Sequence, residues 1–203
     1  MSSKNRNDMD IERHPLQPFL PTGTTLLMLG SFPPSQTRWS MDFFYPNYTN
    51  DMWRIFGLCF FGDKMHLVDE EHKTFRKDAI IQLLTERGIG LYDTATAIVR
   101  KQGTAADKDL EVVEATDLDA LLTKIPQCRA VVTTGEKATS LFCGHFGIHP
   151  PKVGDYVEWT FQSRPLRLYR MPSSSRAYPM KVEKKSSYYL PMFKQVVRGE
   201  WQV

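Results

Sequence analysis

Three consecutive serines, Ser173, Ser174 and Ser175, and the arginine after them, Arg176, lie in the segment MPSSSRAYPM over 171–180, directly after the stretch RPLRLYR. Serine hydroxyls and backbone N–H groups suit phosphate oxygens, and a guanidinium adds charge. From Arg164 to Lys185 seven basic residues (Arg164, Arg167, Arg170, Arg176, Lys181, Lys184, Lys185) face one acid, Glu183, with Tyr169, Tyr178, Tyr188 and Tyr189 interleaved. Basic clusters with aromatics are the pattern of nucleic-acid surfaces. A solvated charged face fits the same residues, so both readings stay open. A second candidate is the loop Gly30–Ser35 (GSFPPS), which leaves an apolar run at its carboxyl end. Pro33 and Pro34 stiffen it and remove two N–H donors, so it could hold a water or a base edge in fixed geometry. An ordinary strand-to-helix connection fits it equally. A third is Asp93, a carboxylate at an apolar strand end, which either caps a turn after Tyr92 or binds something. Asn50 reads simply as the N-cap of a helix through Trp53. The five histidines, at 14, 66, 72, 145 and 149, show no metal-ligand spacing.

These residues need a scaffold, and the totals permit one. The chain has 203 residues, enough for one good core, with 41% hydrophobic and 24% charged residues and a formal net charge of +3. That charge permits a nucleic-acid partner only if the basic residues cluster. Cys59, Cys128 and Cys143 are far apart and form no CxxC pair, which excludes a four-cysteine metal site and suggests a reducing, cytoplasmic setting. The polar residues 1–13 read as a flexible tail ahead of one domain over 14–203. They resemble neither a signal peptide nor a membrane span.

Periodicity predicts the elements. Thr24–Leu29, Gly90–Val99, Arg129–Gly135 and Arg164–Arg170 read as strands, with Tyr156–Phe161 a short strand or hairpin arm. Helices are expected over Asp51–Phe61, His72–Arg87 with Gly88 as its C-terminal cap, Asp117–Lys124, Glu136–Phe146 and Tyr188–Arg198, the last with Pro191 in its first turn. Gly62–Glu71 reads as loop, and Lys101–Asp109 as polar and exposed. Strands alternating with helices at this spacing argue for an α/β fold with a mainly parallel sheet covered on both faces.

Taken together, three blocks resemble the uracil-DNA glycosylase superfamily, and most closely its hypoxanthine-DNA (deoxyinosine) glycosylase branch. The blocks are GSFPPS with FFYPNYTNDMW, GIGLYDT with AVVTTGEKATSLF, and MPSSSR. The resemblance covers about Leu26 to Phe193. It implies a three-layer α/β/α fold around a four-stranded, mainly parallel sheet, and hydrolysis of the N-glycosidic bond of a deaminated base in DNA. Such enzymes flip the base out of the stack, read its edge and help water attack the sugar. Carried over residue by residue, Ser31, Phe32 and Tyr45 would contact the flipped base, with Tyr45 stacking on it. Asn50 would position water or the base, and Asp93 would stand where the superfamily has its base-reading asparagine. Ser173, Ser174, Ser175, Arg176 and Lys181 would hold DNA. The resemblance implies no metal or organic cofactor, a monomer, and double- or single-stranded DNA as partner.

The sequence departs from the pattern in two places that matter. Phe32 stands where many members carry a water-activating Asp or Asn, and Met171 where many carry a histidine. Asn47 and Met52 replace the branch's His and Phe, although the branch shares the Phe at 32. The departures point to a weak or specialised enzyme rather than to fast uracil excision. They also keep open a non-catalytic nucleic-acid-binding protein on the same fold. An α/β phosphate-ester enzyme using the serine loop ranks last, since no P-loop or acidic metal cluster accompanies it.

Overall fold

The computed structural model describes residues 11–101 and 109–199. Its centre is a run of strands whose sequences are apolar on both faces, as a sheet buried on both sides requires. In chain order, β1 (Ile11–Arg13) precedes β2 (Leu26–Gly30), in which every residue is buried. After a 3-10 turn at Gln36–Arg38 come α1 (Met52–Phe61), a small hairpin of β3 (Val68–Asp69) and β4 (Thr74–Phe75), and α2 (Lys77–Arg87). Then follow β5 (Ile89–Asp93), β6 (Ala95–Arg100), β7 (Leu110–Ala115) and α3 (Leu118–Thr123). The chain closes with β8 (Ala130–Thr134), α4 (Glu136–Phe146), β9 (Tyr156–Phe161), β10 (Arg164–Met171) and α5 (Val182–Val196).

The main sheet has the order β5-β2-β8-β10-β9. Its first four strands are parallel, as expected, and β9 adds an antiparallel fifth strand at the β10 edge. The step from β2 to β5 runs one way across the sheet and the step from β8 to β10 the other. With right-handed crossovers, α1 and α2 therefore cover one face and α4 the opposite face. Helix α5 packs on α1, where Phe193 meets Phe56 and Phe60 at ring-centre distances of 5.1 and 5.0 Å. Leu26, Leu27, Met28 and Leu29 are wholly buried between these layers. Each contributes about 1.5–3 kcal/mol of burial free energy before conformational entropy is subtracted. Among the described residues no helix is long and apolar enough to cross a membrane.

Several expectations need correction. Gly90–Val99 is not one strand: β5 ends at Asp93 in the main sheet, and β6 belongs to a second sheet of order β1-β6-β7. The corner is pinned at Thr94, whose N–H and hydroxyl both donate to the Gly30 carbonyl, at 2.8 and 3.0 Å. Of the expected tail, residues 1–10 lie outside the described residues, and Ile11–Arg13 is not tail but strand, paired antiparallel with Ala97–Val99. In the expected polar stretch Lys101 is exposed and Asp109 buried, and 102–108 lie outside the described residues. Helix α2 starts at Lys77, because Thr74 and Phe75 pair with Val68 and Asp69 across the small hairpin. Phe75 is still buried, and Gly88 is the left-handed C-cap (φ 69°) that the sequence indicates. Helix α5 begins six residues earlier than expected, at Val182, so Pro191 lies inside it.

Candidate active site

All four parallel strands deliver a residue to one cavity at their carboxyl ends. Gly30 closes β2, Asp93 closes β5 and Thr134 closes β8, while Ser173–Ser175 follow β10. The order reversal between β2 and β8 makes this the switch point of the sheet, where open α/β folds bind ligands. The cavity is about 380 Å³ and is also lined by Ser31, Phe32, Phe44, Tyr45, Asn50 and Arg176. That volume suits a small planar ligand. Ser31, Phe32, Tyr45, Asn50, Asp93, Ser173, Ser174, Ser175 and Arg176 thus line one cavity, whereas Lys181 is exposed just ahead of α5, outside the lining.

Asp93 is the one carboxylate in the lining of this cavity. Its backbone carbonyl accepts from the Thr116 hydroxyl at 2.6 Å, which locks the strand end. A Cβ on Gly30 would lie 2.5 Å from Asp93 Oδ1, so the carboxylate reaches over the loop only because position 30 has no side chain. The other oxygen, Oδ2, is 2.7 Å from Nε2 of His14. His14 stands outside every pattern the sequence displays, since its partner is 79 residues away. Phe44 and Thr134 lie within the blocks FFYPNYTNDMW and AVVTTGEKATSLF, but nothing in either block singles them out as lining residues.

Tyr45 stands in the left-handed region at φ 50°. For a bulky residue this costs about 1–3 kcal/mol and persists only where the surroundings hold it. Its ring meets Trp53 edge-on at 5.8 Å. Burial, and next the Asp93 charge, push its phenol well above the ordinary value, with the Thr134 hydroxyl partly offsetting them. Tyr45 is therefore a neutral O–H donor close to Asp93.

The serine loop is stitched by its own side chains: Ser173 Oγ accepts from the Ser175 N–H and Ser175 Oγ from the Ala177 N–H, both at 3.2 Å. As acceptors in those bonds, both hydroxyls keep their O–H to donate outward. Asp51 fastens the loop to α1: its N–H donates to the Ser174 carbonyl at 2.9 Å, and its carboxylate accepts from Lys185 Nζ at 3.0 Å and Arg176 Nε at 3.2 Å. Lys185 also donates to the Ser175 carbonyl at 2.7 Å.

This thins the basic strip that the sequence suggests, while Arg176, Lys181 and Lys184 stay exposed. Lys185 is fully buried, and Arg164 donates to the Ile125 and Leu122 carbonyls at the end of α3. Tyr189 is buried with its hydroxyl on the Pro172 carbonyl. Charge survives at the loop itself, because Arg176 and Lys185 share one carboxylate and leave one positive charge in excess. The Arg176 side chain is 58% exposed, so its ion pair with Asp51 is a weak one.

Asn50 does what a capping residue does, one position early. Asp51 occupies the N-cap, and Asn50 Oδ1 accepts from the Met52 N–H at 2.9 Å. The same side chain lines the cavity. If capping is its whole role, Asn50→Ala should lose about 1 kcal/mol of stability and keep its activity. A role in the cavity would show instead as lost function with little change in melting temperature. Melting curves and kinetics on the same preparation decide between the two.

No protein-family model and no curated protein matches the chain. Among solved structures it is similar to the solution NMR structure of a candidate uracil DNA glycosylase from Methanosarcina acetivorans, with a TM-score of 0.62 and 23% sequence identity over 92% of this chain and 98% of that one. The chain has the uracil-DNA-glycosylase-like α/β fold. Likeness at this identity speaks for the fold, and function has to be argued from the cavity.

Proposed function

We propose that this protein is a DNA glycosylase that hydrolyses the N-glycosidic bond of a deaminated base, uracil or hypoxanthine. One observation carries the reading: a single carboxylate, Asp93, faces a base-sized cavity whose rim is a serine loop with excess positive charge. DNA would lie along Ser173–Arg176, its phosphates taking the outward O–H groups of Ser173 and Ser175 and the charge of Arg176. The flipped base enters beside Tyr45, Phe44 and Phe32. A lactam edge presents an N–H beside a carbonyl: the N–H donates to Asp93 Oδ1, and the Tyr45 O–H donates to the carbonyl. The amino parents, adenine and cytosine, present an acceptor nitrogen where Asp93 needs a donor. Such mismatches are rejected strongly, since both groups stay desolvated and unpaired.

Water attack on the sugar falls to Asn50. Its amide NH2 and the second lone pair of Oδ1 can hold a water, but neither can take its proton at neutral pH. With Phe32 beside it, this is a machine that stabilises bond breaking more than it activates the nucleophile, which suits slow excision. The same two side chains favour the second reading, a nucleic-acid-binding protein without catalysis. Labelled duplex and single-stranded oligonucleotides carrying inosine, uracil, xanthine or a G:T mismatch separate the two readings. Alkali cleavage after incubation marks an abasic site, and its absence from every substrate leaves binding alone.

Contact with phosphate has its own signature. Arg176→Ala should weaken binding to all sequences alike and reduce the salt slope by about one unit, through lost counterion release. Its stability cost should stay within about 1 kcal/mol, since Lys185 still neutralises Asp51. Titrations at two salt concentrations check this; an unchanged slope removes Arg176 from the phosphate contacts.

A further inference from the structure

We infer that His14 is a positioning residue that holds Asp93 with one oxygen aimed into the cavity, which makes the N-terminal arm part of the base-selecting machinery. This rests on the proposed reading of the cavity. The arm is tied at both ends: the His14 N–H donates to the Thr96 carbonyl at 2.8 Å, and Phe19 exchanges two backbone hydrogen bonds with Leu91, at 3.0 and 2.8 Å. Between these ties the imidazole is almost wholly buried, with Phe32, Phe44 and Tyr92 around it at ring-centre distances of 5.3, 6.2 and 4.8 Å.

Both ring nitrogens have assigned roles. Nδ1 is 3.1 Å from the Leu16 N–H, which can only donate, so Nδ1 carries the lone pair. A neutral imidazole then bears its proton on Nε2, and Nε2 points at Asp93 Oδ2 at 2.7 Å. The backbone of the arm thereby dictates the direction of the bond. One carboxylate oxygen is held by a donor, and the other remains over Gly30 for a ligand. Without that donor the carboxylate would sit among apolar rings with one oxygen uncompensated and free to rotate. An oxygen no longer aimed at the lactam N–H discriminates less against the acceptor nitrogens of adenine or cytosine, so the loss would reach selectivity as well as rate. A hydrogen-bonded partner that sets the orientation of a functional side chain commonly matters 10- to 100-fold, as the outer partners of metal ligands do.

Two substitutions at 14 oppose donor and packing. His14→Phe keeps a ring in the aromatic cluster and removes the donor; His14→Gln keeps an N–H near the Nε2 position and removes the ring. Single-turnover release of the preferred lactam base is measured for wild type, both variants and Asp93→Asn. Competition by the free lactam base and by its amino parent is measured alongside, with melting temperatures to confirm folding. The inference expects His14→Phe to lose about 10- to 100-fold in rate and to lose preference for the lactam competitor, while His14→Gln retains most of both. The reverse pattern, with Phe active and Gln impaired, overturns it and makes His14 a packing residue, with the reading of the cavity intact. An active Asp93→Asn removes the base reader and this inference together. A wild-type protein that releases no base overturns the proposed function, and the inference with it.

Discussion

Asp93→Asn should lower excision of the preferred lactam base by orders of magnitude, while affinity for undamaged DNA stays the same or rises. The substitution keeps the shape of the side chain and replaces an acceptor-only group by one that also donates. Against a lactam N–H, one of the two amide orientations is a donor-to-donor contact. Sites built around one such bond discriminate by about four to five orders of magnitude. His14 sharpens the effect. Its Nε2–H needs the acceptor oxygen of the new amide, which turns the NH2 toward the cavity, where the base N–H arrives. Removing a negative charge from a DNA-binding cavity opposes none of the phosphate contacts, so binding should not fall. Guanine and thymine also carry the lactam N–H, so cavity shape and the easier flipping of mispaired bases must complete the selection. Normal excision by Asp93→Asn would return Asp93 to the role of a strand-end carboxylate held by His14.

The largest stability effect is expected at Asp51. Asp51→Ala leaves the fully buried ammonium of Lys185 with the Ser175 carbonyl at 2.7 Å and the face of the Tyr178 ring at 5.9 Å, but with no counter-charge at this position. Removing one member of a buried ion pair costs about 3–5 kcal/mol. For a chain of this size that lowers the melting temperature by roughly 10 °C or more. The double variant Asp51→Leu with Lys185→Met should recover much of the stability, because two buried charges disappear together. It should not recover DNA binding, because the serine loop has lost its side-chain anchor, although Arg176 still supplies one positive charge in excess. Thermal melts and duplex titrations on the single and double variants test both halves. A wild-type melting temperature for Asp51→Ala would mean that the pair holds nothing.

The parts of the fold that were legible are those that fold by local rule. β2 and β8 are apolar runs closed by Gly or Thr, β10 sets apolar residues between arginines ahead of Pro172, and α4 ends at Gly147 in the left-handed region. The loops at the carboxyl ends of β2 and β10 were legible for the same reason, so most of the cavity lining was too. Hidden were features that depend on distant partners. The alternating, largely exposed LEVVEA of β7 looks like loop until β6 supplies a partner. Helix α5 opens with EKKSS, whose lysines suggest solvent, yet Lys185 is drawn inside by a carboxylate 134 positions away. His14 is the same case: a lone histidine ahead of Pro15 means nothing until the arm lays it against Asp93. Buried charges and tautomers are decided by such pairings, and no spacing in the chain encodes them.

The central claim is that this cavity breaks the bond between a deaminated base and its sugar. Release of the free base is its most direct measure. With protein in excess over duplexes containing a single inosine or uracil, chromatography should detect free hypoxanthine or uracil. Release should follow a single exponential and vanish in Asp93→Asn. Tight binding of both duplexes with no base released from either, over times long enough for a slow enzyme, would contradict it.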